Sequence, residues 1–168
     1  MALERLKKNK TMLFLDISKG GTANWARIGK STVYDLVLNA QTEENNFIED
    51  EMPSTDITYY KPEISQELQA NKGDSAFDFI YDMFYNLPTG EEVKVPALFV
   101  FAGNVGTEDD PSFNAWSTTS TVTLDHFDSV AEKIYFKLSI NSIERGTVKV
   151  TAGKPVYTKT TTTAATTI

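Results

Sequence analysis

The chain contains no cysteine and a single histidine in 168 residues. The first absence excludes disulfide staples and thiolate metal sites, and it suits a reducing compartment. The second excludes a zinc-binding histidine pair and the H-E-x-x-H helix of metalloproteases. His126 stands between Asp125 and Phe127, and the expectation is a charge neighbour on a surface loop. No G-x-S-x-G elbow accompanies it. Gly29-Lys30-Ser31 has the ending of a phosphate-binding loop, but the position where that loop needs its first glycine holds Asn24. Asp109-Asp110 lacks the spacing of a calcium loop. Long apolar runs are missing too. The longest, Pro96 to Ala102, falls far short of the roughly 20 residues that cross a bilayer as a helix. Met1-Ala2-Leu3-Glu4 is not followed by the apolar stretch of a secretory signal. A soluble protein that is made and used outside the secretory route is expected.

What the chain does have is apolar area and segregated charge. Hydrophobic residues make up 40%, with ten Phe, seven Tyr and two Trp, enough for one domain that buries roughly two thirds of its unfolded surface. Residues 1–30 hold seven cations and two carboxylates, a net of +5, whereas residues 43–92 hold thirteen carboxylates and two lysines, a net of −11. A central part so charged repels an anionic partner at long range. It suits a surface past which an anionic polymer slides without sticking. The basic residues Lys7, Lys8, Lys10, Lys19, Arg27 and Lys30 lack the interleaved aromatics of a single-strand binder. Solvation, or pairing with the carboxylates of an adjacent copy, is the expected state of these lysines.

Periodicity reads mainly β. Residues 1–10 form a flexible basic arm, 11–157 one domain, and 158–168 a Thr-rich tail. Thr11 to Ile17, Trp25 to Ile28 and Ser31 to Leu38 read as extended pieces. The polar stretch 41–55 is a long loop or hairpin, with Phe47, Ile48 and Met52 as its apolar anchors. Thr55 to Tyr60 and Ile64 to Leu68 follow as strands, the second also compatible with a short helix. Asp74 to Leu87 is the one helix, with Phe77, Ile80, Tyr81, Phe84 and Leu87 at the 3/4 spacing of an apolar stripe. Asp74 caps it, Pro88 ends it, and Asp78 and Asp82 lie off the stripe, towards water. Val93 to Phe101 reads as a strand buried on both faces, followed by a loop from Gly103 to Ser112 and a strand from Thr118 to Leu124. Ile134, Phe136, Leu138 and Ile140 alternate with polar residues in a half-buried strand. Asn141 to Gly146 turns the chain, Thr147 to Thr151 pairs back as a hairpin, and Pro155 to Lys159 gives a last strand. The expected fold is a β-sandwich or partial barrel of seven to nine strands with one packed helix.

Several segments in order carry a family likeness: Trp25-Ala26-Arg27-Ile28-Gly29, Leu38-Asn39-Ala40-Gln41-Thr42-Glu43, Phe47-Ile48-Glu49-Asp50-Glu51, Tyr60-Lys61-Pro62-Glu63-Ile64, Phe79-Ile80-Tyr81-Asp82-Met83, Ala115-Trp116 and Gly146-Thr147-Val148-Lys149-Val150. Together they span most of residues 11–152. The chain resembles the major tail tube proteins of long, non-contractile-tailed bacteriophages infecting Gram-positive hosts. The arm and the tail lie outside this likeness.

The resemblance implies a tail tube-like β-sandwich with a flanking helix, a homohexameric ring that stacks into a tube for DNA ejection, and no enzymatic activity or cofactor. It implies ring closure by joining strands of neighbouring subunits around a lumen. Linkage of successive rings falls on Lys7, Lys8 and Lys10 of the arm, on the tail, and on Phe47, Ile48, Glu49 and Asp50 of the loop. Carboxylates expected to face the lumen are Glu43, Glu44, Glu51, Asp56, Glu91 and Glu92. The implied partners are further copies of the chain, a tape measure protein, a tail terminator and a distal tail protein. Double-stranded DNA passes without specific binding, no membrane takes part, and the place is the virion tail, assembled in the host cytoplasm. Alternative readings are another virion component, such as a tail terminator or capsid decoration protein, or a β-sandwich module binding ligands on Tyr59-Tyr60 or Trp116.

Overall fold

In the computed structural model, residues 5–49 and 51–161 are described. Ten strands and one α-helix follow in chain order: β1 (Met12–Asp16), β2 (Trp25–Arg27), β3 (Asp35–Val37), β4 (Ala40–Asn45), β5 (Ser54–Tyr60), β6 (Glu63–Gln69), α1 (Ser75–Asn86), β7 (Lys94–Asn104), β8 (Phe113–Asp128), β9 (Lys133–Thr151) and β10 (Lys154–Lys159). Eight strands build one open antiparallel sheet in the order β2-β1-β7-β8-β9-β6-β3, with β10 on the C-terminal half of β9, and β4-β5 form a separate two-stranded sheet. The fold is therefore mainly β with one packed helix, as the periodicity indicated, with ten strands rather than seven to nine.

Two strands, β8 and β9, organise the rest. They are sixteen and nineteen residues long and run beside each other throughout, from Phe113↔Val148 to Asp128↔Lys133. The expected turn over 141–146 does not exist. Local polar composition favours a turn there, but β8 offers a ladder partner along the whole stretch, and the chain crosses it extended. Gly146 serves a close approach instead. A Cβ at that position would stand 2.4 Å from the Thr158 carbonyl oxygen and 2.5 Å from the Tyr157 ring. The reversal comes later, at Ala152-Gly153, where both residues have positive φ (50° and 76°), the backbone of a tight hairpin turn.

The sheet folds upon itself, so its central strands are buried on both faces. Leu13 and Leu15 of β1, with Val95, Ala97 and Phe99 of β7, join Ile64, Leu68, Ile134, Phe136, Leu138 and the helix in the larger core. Met12, Phe14, Leu98, Val100, Phe113, Ala115 and Val148 form the smaller one on the opposite face. This explains why β1 reads as a continuous apolar run rather than an alternating one. The Lys154 ammonium donates to the Trp25 carbonyl at 2.9 Å, bringing β10 next to β2 without a ladder between them.

Helix α1 starts where expected. The Asp74 carboxylate accepts from the Ala76 and Phe77 N–H groups, replacing the missing intrahelical partners. The buried stripe is Ala76, Phe77, Ile80 and Met83, rotated from the expected one. Tyr81 is 44% exposed and Leu87 71%. Leu87 lies beyond the last helical residue with φ of 51°, so its side chain leaves the stripe. Tyr81 stacks on Phe77 and meets Phe127 of β8 edge-on at the rim of the core.

Candidate assembly interface

The functional surfaces expected from sequence fall into three separate places. The first is the β4–β5 hairpin, which gathers Glu43, Glu44 and Asp56 on its strands and Phe47, Ile48, Glu49 and Glu51 at its tip. Every residue of β5 is exposed. Phe47, Ile48 and Met52 do not anchor the hairpin to the core as expected. All three side chains are exposed, since no other element among the described residues covers the tip. The expectation for Asp50 lies outside the described residues. Glu43 and Asp56 are directly opposite each other, and Asp56 also accepts from the Asn45 amide at 3.0 Å. Tyr59 and Tyr60, offered as a ligand platform, pair with Gln41 and Ala40 and so project from opposite faces. Trp116 is half-buried and packs edge-on to Phe101. Neither arrangement makes a shared aromatic shelf.

The second place holds Glu91 and Glu92, on a single 3-10 turn between α1 and β7. They line a cavity of about 580 Å³ together with Lys19, Phe79, Asp82 and Pro96. Glu91 is paired with Lys94. Lys19 donates to Asp82 at 2.8 Å, and this ammonium holds the Asp82 carboxyl below the ordinary range. The third place is the arm. Lys8–Lys10 form a 3-10 turn, with Lys7 at its start and all three exposed. The Arg27 guanidinium donates to the Asn9 carbonyl at 3.3 Å, and the Lys10 ammonium lies 5.9 Å from the Phe113 ring centre.

The acidic block of the sequence is thus divided in space. Its hairpin carboxylates have no cation within ion-pair distance among the described residues, whereas those of β6 are neutralised across the sheet. Glu67 meets Lys133 at 2.9 Å and Glu63 meets Lys137 at 3.2 Å. The Thr32 hydroxyl and the Lys133 ammonium hold the Glu67 carboxyl below its ordinary value.

A fourth feature is the free edges of one sheet segment; the resemblance implied that strands of neighbouring subunits join, but not which strands leave an edge open. The N-terminal half of β9 pairs with β6 on one side and with the C-terminal half of β8 on the other, and β6 pairs with β3. β7 accompanies β8 only as far as Thr121, so Val122 to Asp128 has no strand on its outer side among the described residues. The outer side of β3 is equally bare. The segment is apolar towards the helix, with Ile64, Leu68, Val122, Phe136 and Leu138 buried. Its other face carries Thr121, Thr123, Ser139, the two ion pairs and His126. The latter belongs to β8 rather than to a loop, stacked 4.3 Å from Tyr135 and next to Asp125. The Gln66 amide, buried in the segment, donates to the Val33 carbonyl at 2.9 Å and fastens the approach to β3.

No protein-family model matches the chain, and no curated protein does. The fold is similar to that of a chain in the cryo-EM structure of the anti-feeding prophage (AFP) baseplate, 6-fold symmetrised. The TM-score is 0.51 at 8% identity, over 89% of this chain and 98% of that one. At this identity the likeness is one of fold.

Proposed function

We propose that the chain is a structural subunit of a phage-type particle that joins copies of itself into stacked hexameric rings, the tail tube through which DNA leaves. One observation carries this reading: a four-stranded segment, β3-β6-β9-β8, with no strand on either outer edge among the described residues. Unpaired backbone groups at both edges invite strand addition. Because the two edges differ, the joint is head-to-tail, and a head-to-tail joint closes into a ring when its rotation allows. The helix is the bulkier covering and fits the outside of such a ring, which turns the polar face of the segment inward. Hydroxyls and compensated ion pairs on that face give a passing polyanion little to hold. Carboxylates at the ring mouths, from the hairpin and from Glu91 and Glu92, repel it. Further copies, a tape measure protein, a tail terminator and a distal tail protein are the partners this reading requires.

A second reading is a ring at the tail end, of the baseplate kind, favoured by the fold shared with the prophage baseplate chain. A ring of that kind stops at a fixed number of layers, whereas a tube protein keeps stacking. Sedimentation of the purified chain tests the shared claim. The wild type is expected at multiples of six times the 18.7 kDa chain mass. Val37→Lys on the β3 edge is expected to stay monomeric with its melting temperature unchanged, because an edge lysine blocks pairing without touching the core. Equal assembly of both proteins contradicts edge joining.

A further inference from the structure

Beyond Thr121 the outer edge of β8 presents Thr123, His126 and Asp128 on the polar face of the sheet segment, and a bulge decides which residues these are. The ladder to β9 slips by one residue between Leu124 and His126. Asp125 is the extra residue, and it moves His126 from the helix side to the polar side. There the imidazole stacks on Tyr135 at 4.3 Å, and its Nδ1 lies 3.1 Å from the Asp125 carboxylate. The histidine side chain remains 54% exposed. Asp128 stands two residues further along, its carboxylate accepting from the Val130 and Ala131 N–H groups. From β9, Tyr135 stands opposite His126 and Lys133 opposite Asp128, but Lys133 is already paired with Glu67 of β6. On the other edge of the segment, β3 carries Asp35 and Val37 on the polar face, opposite Ser65 and Glu63, with Leu36 turned to the core. Asp35 is exposed and forms no ion pair among the described residues.

Laying β3 of one copy along the β8 edge of the next allows few registers. The segment has four antiparallel strands, so its repetition around a ring brings β3 antiparallel to β8. Polar residues must stay on one face, which permits only two-residue steps. Asp35 opposite Thr123 would set Val37 opposite Thr121, a place that Lys94 of β7 already holds. Asp35 opposite Asp128 would set two carboxylates across from each other, a destabilising pair. The remaining register sets Asp35 opposite His126, Leu36 beside Leu124 and Val37 opposite Thr123. We infer that Asp35 of one copy pairs with protonated His126 of the next, which fixes the register of the joint and makes assembly tighten as pH falls. This rests on the edge-joining reading above and adds its register and its regulation. Histidine changes charge between about pH 5 and about pH 8. Neutral His126 leaves Asp35 facing the carboxylates of Asp125 and Asp128 across the joint. Charged His126 sits between Asp125 and Asp35 and offsets that repulsion, so the joined state holds the proton more tightly than separate copies do.

Sedimentation velocity of the full-length chain at about pH 8 and about pH 5.5 tests the pair, with circular dichroism melting as the check on folding. Wild-type association is expected to tighten about five-fold per joint at the lower pH. The overall charge of the chain also shrinks towards its pI of about 4.7, and variants separate that general effect from the pair. His126→Gln and Asp35→Asn are each expected to remove the five-fold part of the response, and the double variant to respond no differently from either. His126→Lys, charged throughout, is expected to associate tightly at both values. A wild-type response that persists in full in His126→Gln, or in Asp35→Asn, overturns the pair. So do losses of pH response that simply add in the double variant. A wild type that stays monomeric at both values removes the edge-joining reading itself, a result distinct from assembly that ignores these substitutions.

Discussion

Glu43 and Asp56 stand directly opposite each other across the β4–β5 ladder, two carboxylates that form no ion pair among the described residues. Like charges in this position destabilise a strand pair, and an opposite-charge pair there contributes roughly 0.2–1 kcal/mol. Asp56→Lys should therefore slow amide hydrogen exchange in residues 42–57, even though the bond from Asn45 is lost. The melting temperature of the whole chain should not move, since no hairpin residue belongs to either core. Faster exchange in the variant would show that the opposed carboxylates do not strain the hairpin.

The helix gives a sharper contrast. Met83 is 5% exposed and Leu87 71%. Met83→Ala should cost about 2–5 kcal/mol in chemical unfolding, and Leu87→Ala within about 0.5 kcal/mol of nothing. Reversed magnitudes would restore the stripe expected from spacing alone.

Acid should weaken the joint between β6 and its neighbours. Bonds from Thr32 and Lys133 hold Glu67 below its ordinary 4.5. Between the folded and unfolded values the unfolded chain binds more protons, so stability rises with pH there. The contribution is complete above the unfolded value and disappears as pH falls through the folded one. Glu67→Gln should lose less melting temperature than the wild type between about pH 6 and about pH 3. Parallel acid limbs for the two proteins would remove Glu67 from the account.

Elements whose pattern is local were legible in the sequence. Ile134 to Ile140 alternate because one face of β9 is core, and Asp74 marks the start of α1 because a carboxylate is needed there. What depends on a distant partner was not legible. Asn141 to Gly146 has turn composition, yet the ladder to β8 keeps it extended. Glu63 and Glu67 look like part of one acidic block until β9 brings Lys137 and Lys133 across from them. The hairpin over 41–55 was one of two readings because its apolar residues suggested a core contact that the fold does not provide. Among the described residues, the bare edge of β8 follows from where β7 stops and that of β3 from its place at the end of the sheet, properties of pairing that no single stretch of sequence records.

In the function proposed above, copies of this chain meet edge to edge. Negative-stain microscopy of the concentrated, purified protein tests that most directly. The expected image is a six-fold ring in end view and a tube with a regular ring repeat in side view. A field of monodisperse single subunits at every concentration would contradict it.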